Sequence, residues 1–371
     1  MIILATGISG SGRLDYIKKV RSLAGDRLTI RDIGSLMFEK SEQLGIKIRE
    51  DKILDMDHFA LNYLRATIFE ELLKEANEYR GLSEKDLIIS THACFRWKKH
   101  LVPGFNFYYL NRLEPDIYVT IIDNAHHIKA RLEARPQWKG KLTLKDIIIW
   151  RDEEVFITDM LAQYQNKPHY IIARNMGPEV LFNIIYNIER RKKEGKAPQL
   201  KAYLSYPITF MKQQKGWFEQ KEDFKRELEK LGIVIFDPMS IEELDLVSMA
   251  TQAIHNGEDK VLIETEEAST YISVSEIEEA KNDIVDQVVA RDYQLIDQAD
   301  IIIVFYPTNM LSPGVLSEIN YGFTHNKEVY AYFPYEVSPF FSYYTTKIFK
   351  IMDEMFDFFR SSKNVSSSGS T

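Results

Sequence analysis

The sequence predicts an α/β protein made of two doubly wound parallel-sheet domains in tandem, and three features carry that prediction. Short apolar runs of strand length alternate with longer helical stretches along the chain. A densely charged run with one Gly and one Pro, Glu189–Gln199 (ERRKKEGKAPQ), interrupts the alternation midway, after which the pattern restarts. A glycine-rich turn, Gly7–Gly12, separates the first apolar run from the first helix, where such folds hold phosphate. A length of 371 residues suits two domains. Their expected bounds are 1–190 and 200–358, with the Ser-rich stretch 359–371 as a disordered tail.

In the first half, Ile2–Thr6, Leu87–Ser90, Ile117–Ile122 and Tyr170–Ala173 read as strands, and His58–Tyr79 and Pro178–Lys193 as helices. The second half reads as strand Lys201–Ser205, helix Glu219–Leu231, strand Val234–Phe236, helix Ile277–Gln298 and strand Asp300–Tyr306. Helix Pro313–His325 and strand Glu328–Tyr332 follow. Ile241–Ser275 is rich in acids and weak in periodicity, so it reads as an insertion over the pocket or a surface excursion, the latter being preferred. A closing helix, Thr345–Phe359, carries a packing stripe at Ile348, Ile351, Met352, Met355, Phe356 and Phe359. The aromatic stretch Phe333–Tyr344 reads as a pocket lining, an oligomer contact or part of the core, the oligomer contact being preferred.

Composition narrows the function classes. With 45% apolar and 27% charged residues both halves can bury a core. A net charge of -8 argues against a protein that coats nucleic acid by counterion release, so no nucleic-acid partner is expected. Small phosphorylated ligands need only a few well-placed cations. The single cysteine, Cys94, excludes an internal disulfide framework and points to a reducing compartment. The start MIILATGISGSGR is apolar for too few residues to be a secretion signal, and no run is long enough to cross a bilayer. The expectation is a cytoplasmic protein without a membrane partner. His126-His127 lacks partners at metal spacing, so no metal site is expected there.

The turn Gly7-Ile-Ser-Gly10-Ser11-Gly12-Arg13-Leu14 has the context of a phosphate-binding loop. Glycines let the backbone wrap an anion, and the following helix offers its free N–H groups. Arg13 stands where a lysine ordinarily reaches the phosphates, and Leu14 replaces the hydroxyl that ordinarily holds Mg²⁺. Further on come Asp86–Phe105 (DLIISTHACFRWKKHLVPGF), Glu114-Pro-Asp-Ile117, and Arg131 and Arg135 four residues apart on one helical face. On these residues the first half resembles nucleoside monophosphate kinases of the archaeal adenylate kinase type. The resemblance implies phosphate binding by Gly7, Gly10, Ser11, Gly12, Arg13, Arg131 and Arg135, with ATP and Mg²⁺ at this half. Because Leu14 cannot ligate a metal, nucleotide binding is the firmer expectation and phosphoryl transfer the weaker.

In the second half, Ser312, Pro313 and Gly314 fall between a buried strand and a helix start, where anions sit off the carboxyl ends of parallel strands. Glu318 follows one turn later; by itself it reads as an ordinary acid near a helix N-terminus. Asp292-x-x-x-Ile296-x-x-Ala299-Asp300, Ser312-Pro-Gly314-x-x-x-Glu318, Gly322, Lys327–Tyr330 and the upstream Tyr203-Leu-Ser205 change that reading. Together they resemble the nucleoside 2-deoxyribosyltransferase family, including its nucleotide-hydrolysing branch. The resemblance implies a flavodoxin-like domain in which Glu318 is the nucleophile at the sugar C1′, Tyr203 orients it and Asp292 helps bind or protonate the departing base. Ser205, Ser312 and Gly314 would bind substrate. Ser312 stands where base-exchanging members carry an Asp, which favours a 5′-monophosphate and hydrolysis. The arginine that would hold that phosphate is missing after the first strand, where Lys212 or Lys215 could replace it. The resemblance also implies small-molecule nucleotide ligands, no cofactor for the cleavage, and a dimer or larger homo-oligomer. Two other readings stand beside it: a nucleotide kinase whose second domain only binds or exchanges bases, and a non-catalytic nucleotide sensor.

Overall fold

A computed structural model describes residues 1–82, 84–213 and 215–368. The chain forms two compact units, and neither is continuous: Met1–Pro178 joins Ile241–Val288, and Glu179–Ser240 joins Val289–Thr371.

The first unit is built on a five-stranded sheet. Its strands are β1 (Ile2–Thr6), β2 (Leu28–Asp32) and β3 (Asp86–Ser90), then β6 (Ile117–Ile122) and β7 (His169–Ala173) after the small antiparallel hairpin β4 (Cys94–Trp97) and β5 (His100–Pro103). The order is β2-β3-β1-β6-β7, all parallel, with Ile3 opposite Ile88 on one side and Ile117 on the other. Every residue of β1, β3 and β6 is buried, because helices cover both faces of a parallel sheet. The edge strand β2, which the sequence pattern does not reveal, buries only Leu28. Helix His58–Arg80 packs Leu61, Leu64, Ile68 and Phe69 with Ile2 and Leu4. Helix Leu144–Tyr164 begins at a reciprocal cap between Thr143 and Asp146 and brings Trp150 against Trp138, ring centres 5.0 Å apart.

The chain then enters the second unit at Glu179, in a helical segment, and adds β8 (Lys201–Ser205) and β9 (Val234–Phe236) before returning to the first. That return corrects the reading of Ile241–Ser275 as a surface excursion. Helix Leu244–His255 leads to an antiparallel hairpin, β10 (Lys260–Glu264) and β11 (Ser269–Ser273), in which Val261, Ile263 and Ile272 are buried while Lys260, Leu262 and Glu264 face out. Both strands pack on helix Ala125–Glu133, in one cluster with Ile128, Leu132 and Trp138. Glu243 takes both Nη atoms of Arg151, one at 3.0 Å, and the Ala125 N–H at 2.7 Å. Arg151 also reaches Gln287 at 2.7 Å and the Asp123 carbonyl at 2.9 Å, so neither buried charge is left uncompensated. The expected linear division at 190–200 therefore does not separate the two units.

The second unit completes its sheet with β12 (Ile301–Phe305), β13 (Glu328–Tyr332) and β14 (Lys347–Phe349), in the parallel order β9-β8-β12-β13-β14. Helix Pro313–Thr324 lies so close to this sheet that a Cβ on Gly322 would sit 2.2 Å from Ile302 Cδ1. The aromatic stretch expected at a subunit contact is partly core. Phe341 is buried, and its ring lies 5.1 Å from Phe333 and 6.1 Å from Tyr306, while Phe340 and Tyr343 are exposed. The expected disordered tail differs as well: it lies in helix Met352–Ser368 as far as Ser368, and its last three residues fall outside the described residues.

If the hairpin is integral to the first unit's core, Ile272→Ala should cost about 2–5 kcal/mol in denaturant unfolding. The same change on a surface excursion would cost under about 0.5 kcal/mol.

Candidate functional site

In the first unit the backbone leaves β1 at Thr6 and must turn at once into helix Arg13–Ala24. Gly7 makes the turn at φ 151°, where a Cβ would lie 2.6 Å from the Ile121 carbonyl. Gly10 and Gly12 are also left-handed, at φ 82° and 74°. Gly12 caps the helix without any side-chain hydrogen bond, so the first-turn N–H groups point into the loop. Ser11 is 1% exposed, and its hydroxyl has no partner among the described residues. A buried unpaired hydroxyl beside free N–H groups is the donor set that a phosphate oxygen satisfies.

The loop is held from beneath by Glu154. This fully buried carboxylate accepts the N–H groups of Gly7 at 2.9 Å, Ala93 at 2.8 Å and Cys94 at 2.9 Å. Burial pushes its pKa up, and the three N–H donors and Arg13 oppose that rise. Arg13 does not reach outward from the loop. Its guanidinium donates to the Gly7 carbonyl and, at 2.9 Å, to Ser90, and it stands 3.9 Å from Asp32. Ser90 in turn donates to Asp32 at 2.8 Å. Burial lowers the Arg13 pKa from its ordinary value, against the pull of Asp32 and Glu154.

Arg131 and Arg135, expected to act together, are placed differently. Arg131 is buried: it donates to the Gly10 carbonyl at 2.5 Å, pairs with Asp123 and stands 3.4 Å from Glu267. Arg135 is exposed, carries no ion pair among the described residues, and borders two cavities. One cavity, about 400 Å³, runs along Ser9–Asp15. The other, about 360 Å³, is lined largely by apolar residues such as Met37, Leu61, Phe95 and Trp138. The two share Ser9, Gly34, Phe38, His92 and Arg135.

The half-buried His92 and the buried Arg65, which sequence reasoning missed as site residues, both line the second cavity. Burial, then Arg13, Arg65 and Arg135, hold the His92 pKa well below 6.5, so the imidazole is neutral at pH 7, and its Nδ1 has no partner among the described residues. Arg65 donates to the Pro103 carbonyl at 2.8 Å, and burial brings its pKa down to about 10. The motif Thr91-His92-Ala93 was a usable signal for His92; nothing in the periodicity singles out Arg65 or Glu154 from the other charges on their helices.

The strand-end chemistry does not fit a protein-held Mg²⁺ at the loop. Leu14 offers no oxygen, and Asp32, the carboxylate lining this cavity beside the loop's own Asp15, already accepts from Ser90 and caps Ile33–Gln43 through Ser35. Among the described residues no group of three or more His, Cys, Asp or Glu is arranged to hold a metal ion, and no helix is long and apolar enough to cross a membrane.

In the second unit, the structure brings Tyr203 and Ser205 of β8 to Glu318 of helix Pro313–Thr324. Tyr203 Oη donates to Glu318 Oε1 at 2.9 Å and Ser205 Oγ to Oε2, with all three side chains buried. Burial, reinforced by Asp292, raises the Glu318 pKa to about 8. Asp292 is itself raised to about 6, chiefly by burial, and its Oδ1 has no partner among the described residues. Ser312 and Gly314 mark the start of the same helix; the Ser312 N–H is given to the Tyr306 hydroxyl at 2.8 Å, and Gly314 is exposed. Lys221 and Lys225, which the motif reading passed over, converge on Asp237 at 3.1 and 3.2 Å, and Asp237 also accepts from Tyr206 at 2.6 Å.

Comparison with known proteins bears on the first half. A family model described as an AAA domain matches residues 6–142. An adenylate kinase of Thermococcus kodakarensis is 22% identical over 209 residues, 56% of this chain and 97% of the relative. Among solved structures, the shikimate kinase of Acinetobacter baumannii in complex with shikimate is 15% identical, covering 50% of this chain and 90% of that one, with a TM-score of 0.32. The deoxyadenosine kinase of M. mycoides with the products dCMP and dCDP is 9% identical, covering 50% and 97%, with a TM-score of 0.30. With its glycine loop after β1 and its fully parallel sheet, the first half of this chain is a nucleotide-binding P-loop domain of the kinase-like kind.

Proposed function

We propose that the first unit is a nucleotide kinase: the glycine loop holds the phosphates of ATP, and the adjoining cavity holds a small phosphoryl acceptor. The observation that carries this reading is the meeting of the two cavities at Ser9, Gly34, Phe38, His92 and Arg135. A donor phosphate on the loop and an acceptor in the apolar cavity would face each other across that shared wall. Arg135 is the one of the two expected arginines whose guanidinium is unengaged there, so it is suited to charge that develops during transfer. Neutral His92 can hydrogen-bond the acceptor without repelling Arg65 or Arg135. Arg13 braces the loop through the Gly7 carbonyl, and no step is assigned to a protein-held metal.

A second reading concerns the second unit, and the buried constellation of Glu318, Tyr203, Ser205 and Asp292 favours it. The strand order β9-β8-β12-β13-β14 corresponds to the 2-1-3-4-5 order of flavodoxin-like sheets, in which ligands sit at the carboxyl ends where the order reverses. Ser205 and Glu318 lie at that end. We infer that this site cleaves the N-glycosidic bond of a nucleoside 5′-monophosphate. Glu318 would attack C1′ as Asp292, holding a proton near pH 6, gives it to the departing base; water would then hydrolyse the glycosyl ester, freeing Glu318 and returning a proton to Asp292.

Incubation with ATP, with and without Mg²⁺, and each NMP or dNMP tests both readings in one chromatogram. Diphosphate product should appear and fall by about 10²–10³-fold in Arg135→Ala. Free base should appear independently of ATP and vanish in Glu318→Ala with diphosphate unchanged. No diphosphate with any acceptor sinks the kinase reading, and no free base sinks the cleavage reading.

Glu318 also sets a pH dependence. Its folded pKa, about 8, lies above its ordinary 4.5, so the folded protein keeps a proton that the unfolded chain loses between those values. The stability from this group is complete below pH 4.5 and is lost as pH rises through about 8. Tm measured from pH 5 to 9 should therefore fall less steeply in Glu318→Gln than in the unaltered protein. Base release, which needs Glu318 ionised and Asp292 protonated, should be greatest between about pH 6 and about pH 8 and fall on either side.

A further inference from the structure

The hairpin that returns from the second half of the chain ends in a turn, Thr265–Ala268, closed by the Thr265 N–H on the Ala268 carbonyl at 2.8 Å and by the Thr265 hydroxyl at 2.9 Å. That turn sets Glu267 against the outer shoulder of the glycine loop. Its carboxylate accepts from Arg174 Nη2, stands 3.5 Å from Arg174 Nη1 and lies 3.4 Å from Arg131 Nη1. Both arginines touch the loop itself. Arg131 Nε donates to the Gly10 carbonyl, and the Arg174 side chain lies where a Cβ on Gly12 would be, at 2.5 Å. Asp123, 2% exposed, pairs with Arg131 and stands 3.7 Å from Arg174.

The two arginines hold two carboxylates of very different kinds. Asp123 is buried in the fold. Glu267 is 38% exposed at the tip of a hairpin, so releasing it exposes no new buried charge. Its pKa is lowered chiefly by the Arg174 hydrogen bond, so it is anionic at neutral pH. Between Gly10 and Gly12, which the two arginines contact, Ser11 is buried and its hydroxyl is unpartnered among the described residues. We propose that Arg131 and Arg174 form a phosphate subsite on the shoulder of the loop, and that Glu267 occupies it as a built-in competitor. An incoming polyphosphate takes over the outward-facing N–H groups of both arginines and sends the Glu267 side chain to solvent. Asp123 keeps the guanidinium groups in place throughout. Nucleotide affinity at the first half is thus set by an acid that the second half of the sequence supplies.

This inference rests on the reading of the glycine loop as a nucleotide site, and the test separates the two. Full-length protein, Glu267→Gln, Arg174→Ala and the double variant are titrated with ATP and with inorganic tripolyphosphate, and Glu266→Gln serves as a control for net charge. Glu267→Gln should bind both ligands about 5- to 30-fold more tightly, the range expected for freeing one half-exposed ion pair and removing a nearby like charge. Glu266→Gln should bind as the unaltered protein does, and the gain from Glu267→Gln should disappear in the Arg174→Ala background. Equal or weaker binding by Glu267→Gln, or a gain that persists without Arg174, overturns the competitor role while leaving the glycine loop as a nucleotide site. Absence of ATP binding by every protein, Glu267→Gln included, overturns the nucleotide reading and the competitor role with it.

Discussion

The first unit depends on one buried carboxylate. Glu154 sits where two backbone segments leave the sheet side by side, the glycine loop after β1 and the turn after β3, and it takes an N–H from the first and two from the second. Neither segment has strand partners for those donors, and a buried unpaired N–H costs about 1–3 kcal/mol. A neutral side chain would present fewer acceptor sites, while a carboxylate without Arg13 nearby would be costly to bury. The glycine loop, the His92 turn and the Arg13 guanidinium are therefore a single electrostatic assembly.

From that assembly the candidate chemistry follows. Because Arg13 turns back to the Gly7 carbonyl, Ser90 and Asp32, the proposed phosphate site is left to backbone N–H groups, Ser11 and the more peripheral arginines. Those arginines are not equivalent. Arg135 faces both cavities unengaged, whereas Arg131 is tied to Asp123 and Gly10 and shares Glu267 with Arg174. The four-residue spacing of Arg131 and Arg135 suggested one helical face, but the helix ends at Glu133, which leaves Arg131 buried within it and Arg135 exposed beyond its end.

The second unit shows the same logic in a different sheet. Tyr203 and Ser205, two apart on one strand, point to the same side and converge on one carboxylate of the following helix. The close approach of helix and sheet at Gly322 lets that carboxylate reach the strand, and the resulting burial lifts its pKa to about 8. A buried glutamate with two hydroxyl donors and an aspartate nearby is a costly arrangement unless it serves a site.

The sequence by itself determined the parallel α/β architecture, the apolar runs of the central strands, and the glycine loop. Each of these is a local pattern or a motif of fixed spacing, and local patterns survive without knowledge of the fold. It did not reveal β2, because an edge strand with one fully buried residue lacks the apolar run that marks its neighbours. Only the tertiary structure decided that Ile241–Val288 belongs with the first half, since the alternating Val261, Ile263 and Ile272 gain meaning only against Ile128 and Leu132, more than a hundred residues away. It alone also decided what each charge does. Glu154, Arg174 and Glu267 are unremarkable as letters, and their roles come from burial and from partners that long-range packing supplies.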